Sequence, residues 1–186
     1  MKRIITGSIM ASLLAMQPVP ASAQAQDKVS IPEFADRICD AMIVYDTTGA
    51  GDLHEAFEMM ILDYLDIDKA RTPSYRITMR DFWNEHHEQM TCTSPAPGHI
   101  SPQHLLKRVV EMQGTSSFFF RYFLADRQLN VNAVEIRDGR RETLVDYLDW
   151  AIFLPEAEQL YDVSALRRLR AFLIDHMGAK RAADLP

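Results

Sequence analysis

The residues best suited to chemistry lie in one short segment, residues 80–92, which reads RDFWNEHHEQMTC. It holds two histidines, three carboxylates and a cysteine. Imidazole, thiolate and carboxylate groups are the usual protein ligands of zinc. The chemistry that this segment could perform is therefore that of a metal-dependent enzyme, with a site built from His86, His87 and Glu88.

The spacing within the segment argues against a shared metal ion. The apolar residues recur at helical intervals and place His86 on their face, whereas His87 points about 100° away. Adjacent histidines cannot both reach one ion from a regular helix, and the motif His-Glu-x-x-His is absent from the sequence. We therefore expect His86 at the edge of a hydrophobic core, with no metal and no cofactor. The alternative is a metal site completed from elsewhere in the chain by His54, His99 or His104.

Other catalytic arrangements have little support. The sequence Gly-Thr-Ser-Ser-Phe at residues 114–118 lacks the second glycine of a nucleophile elbow, so we interpret Ser116 as a helix cap. Paired acids can act as general acid and base on a cell-wall sugar, but helical surfaces carry such pairs routinely. The pairs in this chain are Asp63/Asp66 and Glu85/Glu88. No residue is assigned a catalytic role, and the sequence favours a binding protein over an enzyme.

The first 23 residues are typical of a cleavable secretory signal. Two basic residues precede an apolar run over residues 4–16, and Ala-Ser-Ala at positions 21–23 supplies a cleavage pattern. The apolar run is too short to span a membrane, and no later stretch approaches the roughly 20 apolar residues that a span requires. The sequence therefore predicts export to the periplasm, with residues 24–186 as the mature chain.

Charge and length narrow the class of partner and the number of domains. The chain carries 20 basic and 26 acidic residues, a net charge of −6. This balance argues against nucleic acid and anionic lipid as partners and suits a basic protein. The length allows one domain with a substantial core, which we divide into N-terminal helices over residues 24–98 and helical hairpins over residues 99–186.

Cys39 and Cys92 are the two cysteines of the chain. In an oxidising compartment an even pair favours a disulfide. A metal or redox pair is the competing interpretation, but the chain has no Cys-x-x-Cys and the two residues lie far apart. We predict a disulfide that ties the first mature helix to the end of the histidine-containing segment.

Helical periodicity continues through almost the whole mature chain. Helices are predicted from residue 31, over about 53–65 and 75–90, and over 101–112 and 117–125. Few segments alternate as strands do. The predicted fold class is all-α, a compact bundle of antiparallel helical hairpins with one disulfide.

The C-terminal half contains, in chain order, an Asn-rich tail, an Asp-Gly turn, a helix that opens with Thr-Leu-Val-Asp, and a Gly-Ala close. The matching residues are Asn130, Asn132, Asp138, Gly139, Thr143, Asp146, Gly178 and Ala179. This pattern resembles an ankyrin repeat. If residues 117–125 form the second helix of a preceding unit, the resemblance covers about one and a half divergent repeats over residues 102–180.

The ankyrin resemblance implies a protein-binding scaffold without chemistry of its own. It places the candidate partner-binding residues at the turn: Glu135, Arg137, Asp138, Arg140 and Arg141. A solvated loop is the alternative interpretation of this charged cluster. We therefore expect an exported periplasmic protein-binding module, such as an immunity or inhibitor protein that neutralises an envelope-targeted toxin or enzyme. The sequence leaves the oligomeric state open.

Overall fold

A computed structural model describes residues 28–48, 52–95, 102–112 and 119–186. The predicted signal segment, His99, Ser116 and Ser117 lie outside these ranges. In chain order the helices and strands are α1 (Ile31–Thr48), α2 (Leu53–Leu65), α3 (Tyr75–His86), β1 (Thr91–Cys92), β2 (Gln103–His104), α4 (Leu105–Glu111), a π-helix (Phe119–Ala125), β3 (Glu135–Arg137), β4 (Arg140–Glu142), α5 (Leu144–Phe153), α6 (Ala157–Leu160) and α7 (Val163–Met177). Two short 3-10 turns follow α3 and α7, at His87–Gln89 and Ala182–Asp184. Among the described helices, none has the length and apolarity required to cross a membrane.

The first three helices each bury one apolar face, as their periodicity predicts. Helix α2 begins where the carboxylate of Asp52 accepts a hydrogen bond from the backbone N–H of His54, and it ends at Asp66 in the left-handed region. The predicted helix over residues 53–65 is confirmed, whereas α3 ends before the predicted residue 90. The inward side chains of the three helices are Phe34, Ile38, Met42, Phe57, Ile61, Met79, Phe82 and Trp83.

The phenylalanine-rich segment packs against α2. The ring centroid of Phe57 lies 5.1 Å from that of Phe119 and 5.0 Å from that of Phe123, both in edge-on arrangements. Such pairs stabilise a core beyond the area that they bury. The segment is wound as a π-helix over its described residues, which differs from the α-helix that we expected over residues 117–125.

The predicted disulfide between Cys39 and Cys92 is confirmed, with 5.7 Å between the two Cα atoms. It joins α1 to β1. Asp36, one turn before Cys39, accepts backbone hydrogen bonds from Thr93 at 2.6 Å and Ser94 at 3.2 Å. Burial opposes ionisation of Asp36, but these hydrogen bonds outweigh it and lower the pKa of the carboxyl. The disulfide and the carboxylate of Asp36 together hold residues 92–94 against α1.

Helices α5 and α7 form the predicted antiparallel hairpin. Thr143 caps α5 in a capping box with Asp146, and Asp162 caps α7 through the backbone N–H of Ala165. Helix α7 ends at Gly178, whose φ of 66° is one that glycine adopts readily. The facing apolar residues include Leu144, Leu148, Leu166, Leu169 and Leu173.

The fold is mostly helical, which confirms the all-α prediction in part, but two small sheets are also present. Strands β1 and β2 pair antiparallel, and strands β3 and β4 form a hairpin. Both sheets are short enough that alternation of apolar residues gives little signal. The hairpin arises from Asp138-Gly139, a turn that favours strand pairing on both sides.

The N-terminal helices are joined to the end of α7 by two asparagines. The indole N–H of Trp83 donates to the carbonyl of Asn130 at 2.7 Å, and the backbone N–H of Asn130 donates to Asn84. The side chain of Asn132 donates to the carbonyl of Gly178 and accepts from the backbone of Lys180. These contacts fix the segment that leads into the β3–β4 hairpin.

Candidate functional site

The β3–β4 hairpin brings the residues that the sequence analysis proposed for partner binding into one place. Its turn residues, Asp138 and Gly139, have φ angles of 50° and 74°. Positive φ at both positions defines the turn that two-residue hairpins prefer, because its twist matches that of the strands. The cross-strand pairs are Glu135 with Glu142, Ile136 with Arg141, and Arg137 with Arg140.

The two faces of the hairpin differ because successive side chains of a strand point to opposite sides. Glu135 and Glu142 lie on the inner face, where both carboxylates contact the ammonium group of Lys107 on α4. Lys107 is only 1% exposed. A buried ammonium group is very costly unless it is paired. One lysine thus binds both strands of the hairpin to the helix beneath them.

The support of the hairpin extends from Lys107 into the core. The ammonium group lies 5.7 Å from the ring centroid of Tyr147, within the range of a cation–π contact. The hydroxyl of Tyr147 donates to Glu111 at 2.9 Å, and the side-chain amide of Gln103 donates to the same oxygen at 3.1 Å. Burial and the nearby Glu111 raise the pKa of Tyr147, so its hydroxyl stays protonated and remains a donor.

The outer face and tip of the hairpin are exposed. Ile136 is 70% exposed, so most of its aliphatic side chain is in contact with water. Its cross-strand partner Arg141 is also exposed, and the guanidinium group donates to the carbonyl of Pro186 at 2.8 Å. Asp138 and Arg140 are exposed at the tip. The hairpin therefore presents one apolar and several charged side chains.

Two of the predicted partner-binding residues make contacts within the protein. Glu135 points inward to Lys107 and accepts a hydrogen bond from the backbone N–H of His104, so it helps to hold the hairpin in place. Arg137 is half-buried, with its guanidinium group 3.9 Å from Glu142. The remaining predicted residues are exposed: Asp138, Arg140 and Arg141.

Sequence analysis overlooked Lys107 and Ile136. Lys107 and Arg108 lie between the apolar pairs Leu-Leu and Val-Val, and charges within a buried helix are a signal for buried partners. Ile136 lies between Glu135 and Arg137, where alternation in a short strand places it on the opposite face from its charged neighbours. The Asp-Gly turn that follows is the cue in the sequence for such a strand.

The histidines of the segment over residues 80–92 do not converge. His86 is half-buried, with its ring 5.0 Å from Phe82, and Glu88 is exposed. His87 is the more buried of the two, contrary to our expectation, because the regular helix ends at His86 and a 3-10 turn begins. Its ring nitrogens lie 3.1 Å from the carbonyl of Asn84 and 2.9 Å from the amide nitrogen of Asn130.

His104 is also committed to hydrogen bonds within the protein. Its Nε2 lies 2.7 Å from the carbonyl of His87, and its Nδ1 accepts from the backbone N–H of Leu106 and so caps α4. Burial lowers the pKa of His104 to about 4. Within the described ranges, no three His, Cys, Asp or Glu side chains are grouped to hold a metal ion. His99, which the metal alternative could also use, lies outside those ranges.

No protein-family model, no curated protein and no solved structure matches this chain. The ankyrin resemblance therefore stays a prediction from the residues of the C-terminal half. The features established for the molecule are a mostly helical fold, a disulfide between Cys39 and Cys92, and a β-hairpin held by buried ion pairs.

Proposed function

We propose that this chain is an exported protein-binding module that contacts its partner through the exposed residues of the β3–β4 hairpin. An immunity or inhibitor protein that neutralises a toxin or enzyme in the periplasm is the kind of module that we have in mind. The observation that carries the proposal is the exposure of Ile136, beside Arg141, on a hairpin whose opposite face is fixed to the core.

The support of the hairpin favours recognition over a solvated loop. A flexible loop loses conformational freedom when it binds, at a cost of roughly 0.5–1.5 kcal/mol for each immobilised side chain. Both strands of this hairpin are already held by Lys107 before any partner arrives. A contact surface that is ordered in advance retains more of its interaction energy as affinity.

The exposed side chains are of types that contribute strongly at protein interfaces. Arginine is enriched among the residues that dominate binding energy, since it combines charge, several donors and a flat surface. Ile136 would gain free energy by leaving water, because a fully buried isoleucine side chain contributes about 1.5–3 kcal/mol. The ankyrin resemblance is consistent with the same use, because the hairpin corresponds to the turn between units in that family.

The proposal is tested by capture from an envelope extract with a matched pair of variants. The parent, an Arg140→Ala/Arg141→Ala variant and an Arg167→Ala/Arg168→Ala variant are immobilised, and the bound proteins are quantified by mass spectrometry. Arg167 and Arg168 are also adjacent exposed arginines, but they lie on α7. We exclude Arg137 from the variant because it is half-buried beside Glu142.

We expect a protein captured by the parent and by the α7 control to be depleted on the hairpin variant. Loss of a single well-placed arginine commonly costs about 2 kcal/mol, which is around thirtyfold in affinity. Melting temperatures of all three proteins should agree closely, since exposed charges contribute roughly 0–1 kcal/mol to stability. Equal capture by the parent and the hairpin variant would show that the hairpin is only a solvated loop.

A further inference from the structure

We infer that the partner offers the hairpin an acidic protein segment that carries a large apolar side chain. This inference rests on the proposed function and specifies the chemistry of the contacting segment. It follows from the way the hairpin separates its charges between its two faces, which the sequence alone does not reveal.

The charges of the hairpin are balanced in sequence but not on its surface. Residues 135–142 contain three acids and three arginines. The two glutamates, Glu135 and Glu142, are turned inward, where the charges of Lys107 and Arg137 balance theirs. The exposed charges are therefore Arg140 and Arg141 against Asp138. The exposed surface of the hairpin is consequently positive, although the chain as a whole carries a net charge of −6.

The segment that packs beside β4 does not reverse this local charge. Arg141 donates to the carbonyl of Pro186, so the last described residues lie against the outer face. Lys180 is exposed there, and Asp184 is an exposed acid on the neighbouring 3-10 turn. Arg181 pairs with Asp149 at 2.7 Å, but Arg170 contacts the same carboxylate, so these three groups together stay positive.

Local charge decides the chemistry of a contact more than net charge does. At physiological ionic strength the Debye length is about 8 Å, so exposed charges on distant helices are largely screened at the hairpin. The net charge of the chain favours a basic partner, but the surface that meets the hairpin should be acidic.

Ile136 adds a requirement that charge alone would not impose. It shares a face with Arg141, so a bound segment that pairs with this arginine would also cover the aliphatic side chain. Carboxylates pair well with guanidinium groups because they accept two parallel hydrogen bonds. A large apolar side chain near those carboxylates would remove Ile136 from water. An acidic segment with an apolar residue satisfies both groups at once.

A library of random short peptides displayed on phage tests this inference, because the selection requires no identified partner. The mature, oxidised chain is the target, and enriched peptides are synthesised and their affinities measured by fluorescence anisotropy. We expect an excess of Asp and Glu together with Leu, Phe or Trp. Affinity should fall by about tenfold or more on the Arg140→Ala/Arg141→Ala variant and on an Ile136→Ser variant. It should also weaken as salt is added.

Two controls make the outcomes distinguishable. The Arg167→Ala/Arg168→Ala variant should bind the peptides as the parent does. A Phe153→Ser variant should do the same, because it removes an apolar side chain that is 78% exposed but lies on α5, outside the hairpin. Enriched peptides that need the hairpin but are basic or uncharged would overturn the inference and leave the proposed function standing. Peptides that bind regardless of the hairpin, or no enriched peptide at all, would count against both.

Discussion

The ammonium group of Lys107 contacts the carboxylate of Glu142, so a buried ion pair joins helix α4 to the second strand of the hairpin. Glu135 contacts the same ammonium group from the first strand. The hairpin therefore has two separate sets of charged residues. The inner set, Lys107 with Glu135 and Glu142, holds the hairpin against α4. The outer set, which includes the exposed Arg140 and Arg141, is the one that we propose for binding.

Replacing Lys107 by methionine should destabilise the protein by about 3 kcal/mol, because Glu135 and Glu142 would lose the buried ammonium group that both contact. Denaturant unfolding followed by circular dichroism measures the change. A Lys107→Met/Glu135→Gln/Glu142→Gln variant should recover a large part of the loss, since it removes the charges together. A single variant as stable as the parent would mean that the ion pairs do not hold the hairpin.

Reduction of the Cys39–Cys92 disulfide should lower the free energy of unfolding by about 4 kcal/mol, given the length of the loop that it closes. Melting curves with and without reductant give the size of the effect. Intact mass after alkylation should rise by two thiol adducts only when the protein has first been reduced. Alkylation of both cysteines in the unreduced protein would contradict the bridge.

Acid should destabilise the protein in a window set by its buried histidines. Burial lowers the pKa of His104 to about 4 from its ordinary 6.5, with the carbonyl of His87 and the carboxylate of Glu135 opposing the effect and Lys107 adding to it. The unfolded chain then binds more protons between these values, so stability is highest above about pH 6.5 and falls towards pH 4. The loss should reach about 3 kcal/mol near pH 4, and His87, whose pKa burial also lowers, adds to it.

Two replacements check the source of this acid sensitivity. His104→Asn retains a side chain able to cap α4 but cannot titrate, so the slope of stability between pH 6.5 and about 4.5 should flatten. His176→Asn, at an exposed position on α7, should leave the slope unchanged. Carboxylates with lowered pKa such as Asp36 act below this window. An unchanged slope in the His104 variant would exclude that residue as the cause.

Cleavage of the signal segment is expected after Ala23, which leaves Gln24 as the first residue of the mature chain. Expression of the full chain in a Gram-negative host, followed by osmotic release and intact-mass measurement, tests both cleavage and location. A substitution of Ala21 and Ala23 by bulky residues should block processing. A periplasmic fraction that lacks the protein, or a mass that includes Met1, would contradict export.

Local sequence patterns predict much of the secondary structure and the cross-link. The apolar spacing around Phe57 and Ile61 predicts α2, Thr143 and Asp146 predict the cap of α5, and the even pair of cysteines predicts the disulfide. The helix and the cap are determined by residues close together in the sequence, and each of the two cysteines has only the other as a disulfide partner within the chain.

The features that the sequence does not predict depend on distant contacts. The charged neighbours of Glu135 favour a role in partner binding, but its direction is set by Lys107, which belongs to a different element. A regular helix that continued to residue 90 would point His87 away from the core, whereas α3 ends at His86. A strand of three residues such as β3 also carries too little alternation to predict which face holds Ile136.

The most direct measurement of the central claim is photo-cross-linking from the hairpin in living cells. The photoreactive amino acid p-benzoylphenylalanine replaces Ile136 in one strain and Arg167, on α7, in another. Our account predicts a discrete cross-linked species of higher mass from position 136 and none from position 167, with loss of the species when Arg140 and Arg141 are also replaced by alanine. No adduct from position 136, or equal adducts from both positions, would contradict the account.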